Sequence, residues 1–303
     1  MSEYLLSFHG TAIGRGSVPM LIKAAKHAGF DCVETNVAQL GYFFQAGYTA
    51  ADVKEVADGM PIAAVGWLSN CERQGFEYIQ LMSESEKLFD ICKSIGAKSV
   101  QVITGPVDYK AVESFRNKTP YSGYMALQGL DLTEQKKMTA KNLADMGRLA
   151  AQFGLTLYFE PLCWAPIKSI KQGVEICKKV DLDNVKMVVD FFHGFIAGDT
   201  PEYIAKMDPA LIDGVHVCDS LKNPGGVPVE TVLRNVKLGE GELPIQEWVD
   251  AVKATGYSGT WAYESFYRKE HELDPCELAK NIYAKMVGLL GPKLLANKKQ
   301  VKR

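Results

Sequence analysis

The sequence predicts a single (β/α)8 TIM barrel, and three observations predict it. Short runs rich in β-branched and aromatic residues alternate with longer amphipathic stretches along the whole chain. Four side chains able to bind a metal stand at or near the ends of four of those runs: Glu160 in Leu157-Tyr158-Phe159-Glu160, Asp190 in Met187-Val188-Val189-Asp190, His216 in Gly214-Val215-His216-Val217, and Glu264 in Trp261-Ala262-Tyr263-Glu264. The chain has 303 residues with 47% hydrophobic content, enough for one large barrel. No composition break or flexible linker divides it, so residues 1–291 are read as the barrel and 292–303 as a basic C-terminal tail.

The elements follow in order. Residues 5–8 read as strand one and 18–28 as its helix, stopped by Gly29, which can take the left-handed conformation that ends a helix. Strand two is 30–34. Strand three is 61–67, whose alanines and valine suit a crowded barrel interior; an amphipathic helix over 76–95 then runs to Gly96. Strand four is 98–103. Residues 106–130, with Pro120, Gly123, Gly129 and several aromatics, read as a long irregular segment, either a lid over the barrel mouth or a surface insertion. A long helix over 133–153 leads through Gly154 to strand five, 155–160. A helix over 170–179 precedes strand six, 185–190, and a shorter helical segment over 201–207 precedes strand seven, 211–217. A Pro- and Gly-rich loop, 220–227, and an irregular stretch holding Gly239-Glu240-Gly241 come next. The helix 245–254, strand eight over 259–264 and the helix 275–290 complete the ring.

The formal net charge of −2 gives no electrostatic footprint for nucleic acid or an acidic membrane. The run Lys298-Lys299-Gln300-Val301-Lys302-Arg303 is read as a solvated end. No cationic stretch followed by an apolar run opens the chain and no apolar run is long enough to cross a bilayer, so a cytoplasmic location is expected. Seven scattered cysteines form no Cys-x-x-Cys pair and fit free thiols in a reducing compartment; Cys163 and Cys218, near the proposed ligands, are read as pocket lining.

Residues at the carboxyl ends of barrel strands converge on one mouth, so Glu160, Asp190, His216 and Glu264 are read together as the ligands of one divalent ion. Three carboxylates and one imidazole suit Mn2+ first, with Mg2+, Co2+ or Zn2+ as alternatives to it. Such a site suits proton movement beside a carbonyl, Glu160 and Glu264 flanking the substrate as proton acceptor and donor. His9, just past strand one, and Glu34, ending strand two, point toward the same mouth and are read as substrate contacts. Trp67 and Trp164 are read either as apolar walls for a ring or as core packing.

The segments Val188-Val189-Asp190-Phe191-Phe192-His193, His216-Val217-Cys218-Asp219, Gly239-Glu240-Gly241 and Tyr263-Glu264-Ser265-Phe266 resemble the xylose-isomerase-like barrels, a family that includes inosose isomerases, inosose dehydratases, hydroxypyruvate isomerases and ketohexose 3-epimerases. The resemblance runs over nearly the whole chain. It implies a metal-dependent isomerase or epimerase of a keto-sugar or keto-cyclitol acting through an enediolate, with the four residues above as metal ligands and His193 bonded to a substrate oxygen. Lys222 stands where the ketohexose epimerases carry a substrate-binding arginine, a departure because a lysine lacks the planar fork. The alternative is a lyase using the same enolisation, either an inosose dehydratase or the catalytic subunit of a 3-oxo-C-glycoside deglycosidase. The aromatic-rich segment from Tyr109 to Tyr124 would then either cover a flavonoid-like aglycone or contact the small partner subunit. The partners implied are a small carbohydrate or cyclitol substrate and either a homo-oligomer or a small β-rich subunit, with no nucleic acid and no membrane.

Overall fold

A computed structural model describes residues 4–292. Eight parallel strands form a closed barrel in sequence order, β1 (Leu5–His9), β2 (Cys32–Asn36), β3 (Ile62–Leu68), β4 (Ser99–Ile103), β5 (Thr156–Glu160), β6 (Val185–Asp190), β7 (Ile212–Val217) and β8 (Thr260–Tyr263). The ring closes where β1 pairs with β8, Leu6 opposite Trp261. Helices on the outside include α1 (Val18–Ala28), α4 (Phe76–Ile95), α6 (Leu132–Gln152), α7 (Ile170–Val180), α11 (Ile245–Ala254) and α12 (Pro275–Leu290).

The strands bury two different faces. Side chains alternate along a strand, so one set points at the helices and the other into the barrel. Leu6, Phe8, Val33, Val100, Val102, Leu157, Phe159, Met187, Val189, Val215 and Trp261 belong to the large apolar core. Ala64, Tyr158 and Val188 form a small cluster of their own. Tyr158 and Val188 lie two residues before Glu160 and Asp190 and so share their inward face. The interior thus holds a small apolar cluster beneath the acidic strand ends.

Register brings the strand ends level. Ile103 pairs with Glu160, Asp190 with His216, and His9 with Glu34. Val217 pairs with Tyr263, which sets Glu264 one residue past the end of β8.

The structure corrects the sequence reading between β2 and β3 and after β4. Two helices that it passed over, α2 (Val37–Gln45) and α3 (Ala50–Ala57), connect β2 to β3. Asn36 and Thr49 cap them, each accepting a hydrogen bond from a backbone N–H in the first turn. The segment expected to be irregular carries α5 (Tyr109–Asn117), started by Asp108, whose Oδ1 accepts from the Lys110 N–H at 3.0 Å. Its other oxygen takes the Tyr121 hydroxyl at 2.8 Å, while Phe115 is 46% exposed. α8 (Phe191–Ala197) follows β6 with no intervening loop. The short helices α9 (Pro201–Ile204) and α10 (Glu230–Leu233) flank β7.

All seven cysteines are free thiols, and burial pushes those of Cys163 and Cys218 up, away from the reactive thiolate. No helix among the described residues is long and apolar enough to cross a membrane. The basic tail from residue 293 onward lies outside the described residues.

Candidate metal centre

Glu160, Asp190, His216 and Glu264 each offer one ligand atom within 4.8 Å of the others, and all four are buried. His216 Nδ1 lies 3.5 Å from Glu264 Oε2, 3.9 Å from Glu160 Oε1 and 4.0 Å from Asp190 Oδ2. The remaining polar atoms are tied down by the fold. Asp190 caps α8, its Oδ1 accepting from the His193 N–H at 2.7 Å, which leaves Oδ2 toward His216. Glu160 Oε2 accepts from Gln101 Nε2 at 2.6 Å. Gly66 makes room for that amide, since a β-carbon there would lie 2.5 Å from Gln101 Oε1.

Two atoms of this group, Glu160 Oε1 and His216 Nδ1, are buried and have no hydrogen-bond partner. A buried polar atom left bare costs about 1–3 kcal/mol. Both atoms face the centre of the cluster, where a divalent cation would ligate them together with oxygens of Asp190 and Glu264. The donor set therefore fits such an ion. The residues present would hold it with three carboxylates and one imidazole nitrogen.

The charge balance points the same way. Burial, reinforced by the negative charges of Asp190 and Glu264, pushes the Glu160 carboxyl well above the usual carboxylate range. Burial also raises Asp190, to about 6, against the pull of Arg234. Burial would raise Glu264 as well, but Arg234 and His216 outweigh it and hold Glu264 well below its ordinary value. Burial would lower His216, yet Glu264 and Glu34 outweigh it and hold the imidazolium well above the usual range. The carboxylates thus crowd one another and draw positive charge onto His216, so the pocket favours a cation among them.

Arg234, the residue that caps the end of α10, supplies the counter-charge, and the sequence reading did not single it out. Its Nη2 lies 2.7 Å from Glu264 Oε2 and 3.6 Å from Asp190 Oδ2, while Nη1 donates to Glu230 Oε1 at 2.9 Å. The rings of Phe192 and Phe266 lie on it at 5.2 and 4.4 Å. Lys222, by contrast, is exposed on the loop after β7. The fold therefore brings an arginine to the acidic cluster from twelve residues further along than the lysine singled out in the sequence. The available signal was a lone Arg in an otherwise irregular stretch.

The other expected contacts divide into two groups. His193 lies at the mouth, where its Nδ1 accepts from the Cys163 N–H at 3.1 Å, leaving Nε2 as a donor 3.5 Å from Glu230 Oε1. Burial, helped by Arg234, lowers its pKa to about 3, so the ring is neutral. Trp164 borders it at 5.4 Å between rings and donates Nε1–H to the Pro106 carbonyl at 2.9 Å. His9 accepts the Thr11 N–H on Nδ1 at 3.2 Å and turns Nε2 toward Glu264 Oε1, 3.9 Å away. Trp67 is 39% exposed at the end of β3. Glu34 turns the other way, beneath His216. Its Oε2 meets His216 Nε2 at 3.1 Å and the Tyr158 hydroxyl at 3.2 Å, and it lines a cavity of about 670 Å³ that opens among the amino ends of the strands.

The Gly239-Glu240-Gly241 motif has a structural task. Asp219 Oδ2 accepts from the N–H groups of Gly239 and Gly241 at 2.8 and 2.9 Å, and Oδ1 accepts from Ser220 and Leu243 at 2.8 and 3.3 Å. Gly239 has φ +89°, and a β-carbon on Gly241 would overlap the Asp219 carboxylate and the Ser220 carbonyl. The motif thus folds the β7 to α11 connection back over β7 and sets the loop that carries Arg234.

Known proteins resemble this chain over most of its length. It is 22% identical over 218 residues to an inosose isomerase of Bacillus subtilis, covering 71% of this chain and 69% of that protein. It is 22% identical over 242 residues to a 3-dehydro-D-guloside 4-epimerase of Escherichia coli, covering 77% and 81%. In three dimensions it matches the IOLI protein, solved with a bound zinc atom, at a TM-score of 0.82 and 18% identity over 94% of this chain and 98% of that one. The xylose isomerase-like TIM barrel family profile matches residues 22–285, and with the closed barrel and its strand-end cluster this chain belongs to that family.

Proposed function

We propose that this protein is a divalent-metal-dependent isomerase or epimerase of a keto-sugar or keto-cyclitol, acting through an enediolate. The observation that carries the reading is the pair of bare buried atoms, Glu160 Oε1 and His216 Nδ1, at the centre of a cluster whose only close guanidinium among the described residues is Arg234. Its relatives named for isomerisation and epimerisation of sugars and cyclitols support the reaction class. Manganese is the first choice of ion, and the zinc in the matched structure keeps zinc among the candidates.

A divalent cation bound by these four residues supplies a Lewis acid that takes up negative charge on substrate oxygens. The chain's own residues divide the remaining work. Glu160 and Glu264 come from β5 and the end of β8, on either side of Asp190 and His216. Arg234 pairs with Glu264, whereas Glu160 receives only the neutral Gln101 amide on one oxygen, so the two carboxylates differ in their surroundings. One carboxylate accepting a proton and another returning it elsewhere is the pairing that a proton relocation needs. His193, a neutral donor at Nε2, and His9 orient substrate oxygens, and Trp164 closes the side of the site next to His193.

Elemental analysis of the purified protein and of the Glu160, Asp190, His216 and Glu264 alanine variants tests the site. Turnover of a panel of keto-sugars, inososes and 3-oxo-C-glycosides, before and after chelation, tests the reaction. We expect bound divalent metal in the wild type, its loss from the variants, and isomerisation or epimerisation that stops on chelation and returns on adding Mn2+. Undiminished metal in all four variants, or activity indifferent to chelation, overturns the proposal. Cleavage of a 3-oxo-C-glycoside in place of isomerisation moves the protein to the lyases.

A further inference from the structure

The metal-ligand candidate His216 has two ring nitrogens in different surroundings. Nδ1 faces the three acidic ligands and is bare; Nε2 faces down the barrel toward Glu34 Oε2 at 3.1 Å. Glu34 is itself fixed, because the same Oε2 accepts the Tyr158 hydroxyl at 3.2 Å and the Tyr158 ring meets the His216 ring edge-on with centroids 6.0 Å apart. Glu34 and Tyr158 belong to the inward faces of β2 and β5 and approach His216 from the side of the cavity among the strands' amino ends. A neutral imidazole that gives one nitrogen to a cation must carry its proton on the other, and a carboxylate on that other nitrogen fixes the tautomer, aims the ring and raises its basicity.

From this juxtaposition we infer that Glu34, held by Tyr158, is a positioning residue for the metal centre. It keeps the His216 proton on Nε2 and presents Nδ1 to the ion. The role expected for Glu34 as a substrate contact gives way to this one. The inference rests on the proposed metal site. His9 also comes within 3.8 Å of Glu34 through Nε2, and His9, Glu34 and His216 could themselves be crowded enough to hold an ion. The 3.1 Å separation of Nε2 and Oε2 is a hydrogen-bond distance, which favours a shared proton there.

The test compares full-length wild type with Glu34→Ala, Glu34→Gln and Tyr158→Phe, each stripped of metal and titrated with Zn2+ by calorimetry. Folding of each variant is checked by circular dichroism. Glu34→Ala is expected to weaken Zn2+ binding about 10- to 100-fold. Glu34→Gln, which keeps an acceptor oxygen, should recover part of that loss, and Tyr158→Phe should cost less than Glu34→Ala. In zinc-loaded protein with 15N-labelled histidine, His216 should show a protonated, slowly exchanging Nε2 that becomes fast-exchanging in Glu34→Ala. Equal Zn2+ affinity in wild type and Glu34→Ala, or Nε2 bound to metal with two ions per chain, overturns the inference. A wild type that binds no Zn2+, Mn2+ or Co2+ overturns the metal site itself, a result separable from the first two.

Discussion

Arg234 holds Glu264 at two points: its Nη2 lies 2.7 Å from the carboxylate Oε2 and 3.0 Å from the Glu264 carbonyl oxygen. One side chain thus fixes both the charge and the backbone of the residue that follows β8. The same guanidinium reaches Asp190 and Glu230, so it ties the end of β6 to the segments after β7 and β8.

Replacing the fork therefore separates geometry from charge. Arg234→Lys keeps a cation but loses the second donor plane, and kcat/KM is expected to fall by about 10² to 10³. Arg234→Met leaves buried carboxylates without their counter-charge and should cost about 3–5 kcal/mol of stability in metal-free protein. Steady-state kinetics and urea unfolding measure the two; a lysine variant with wild-type kcat/KM would remove Arg234 from the site.

Proton movement beside a carbonyl has its own signature. Once a substrate is found, product formed in D2O should carry deuterium at the relevant carbon unless the carboxylates return the same proton, and substrate deuterated there should react more slowly. Mass spectrometry and competitive kinetics read both. Absence of a primary isotope effect when chemistry limits the rate counts against Glu160 and Glu264 as the proton-transfer pair.

The Gly-Glu-Gly loop should matter for stability. Gly241→Ala forces the new methyl against the Asp219 carboxylate and the Ser220 main chain, a cost of about 1–3 kcal/mol. Glu240 is exposed, and Glu240→Ala should leave both stability and activity near wild type. Thermal unfolding of the two variants checks the contrast.

Glu72, buried in the loop after β3, gives a pH dependence away from the Glu160, Asp190, His216 and Glu264 cluster. Burial raises its pKa, although its Oε2 accepts the Gly105 N–H at 2.9 Å and Arg73 lies nearby in sequence; Tyr124 and Cys71 also interact with it. A raised carboxyl stabilises the fold fully below its unfolded pKa, about 4.3, and loses that contribution as pH rises through the folded value. Glu72→Gln, a neutral isostere, should thus gain stability relative to wild type on going from pH 4 to pH 8. Urea unfolding at the two pH values measures this, and a difference that stays constant or shrinks contradicts the assignment.

The sequence by itself determined the barrel and the four strand-end residues. Runs of alternating strand and helix leave few topologies, and in a parallel barrel the carboxyl ends of successive strands must lie at one mouth, so Glu160, Asp190, His216 and Glu264 could be collected from strand positions alone. His193 was legible for a similar reason, being three residues past Asp190 on the helix that Asp190 caps. Tertiary structure decided what depended on direction and reach. α2 and α3 were passed over because their amphipathic patterns are short, and capping by Asn36 and Thr49 with packing on the barrel gives them their bounds. Arg234, eighteen residues beyond His216, enters the cluster only because the Asp219 turn folds its loop back across the mouth. Glu34 sits at the level of His9 in the register, yet its carboxylate meets His216 and Tyr158 from below, because a strand position fixes the face of a side chain while the neighbouring side chains fix which way its polar end turns.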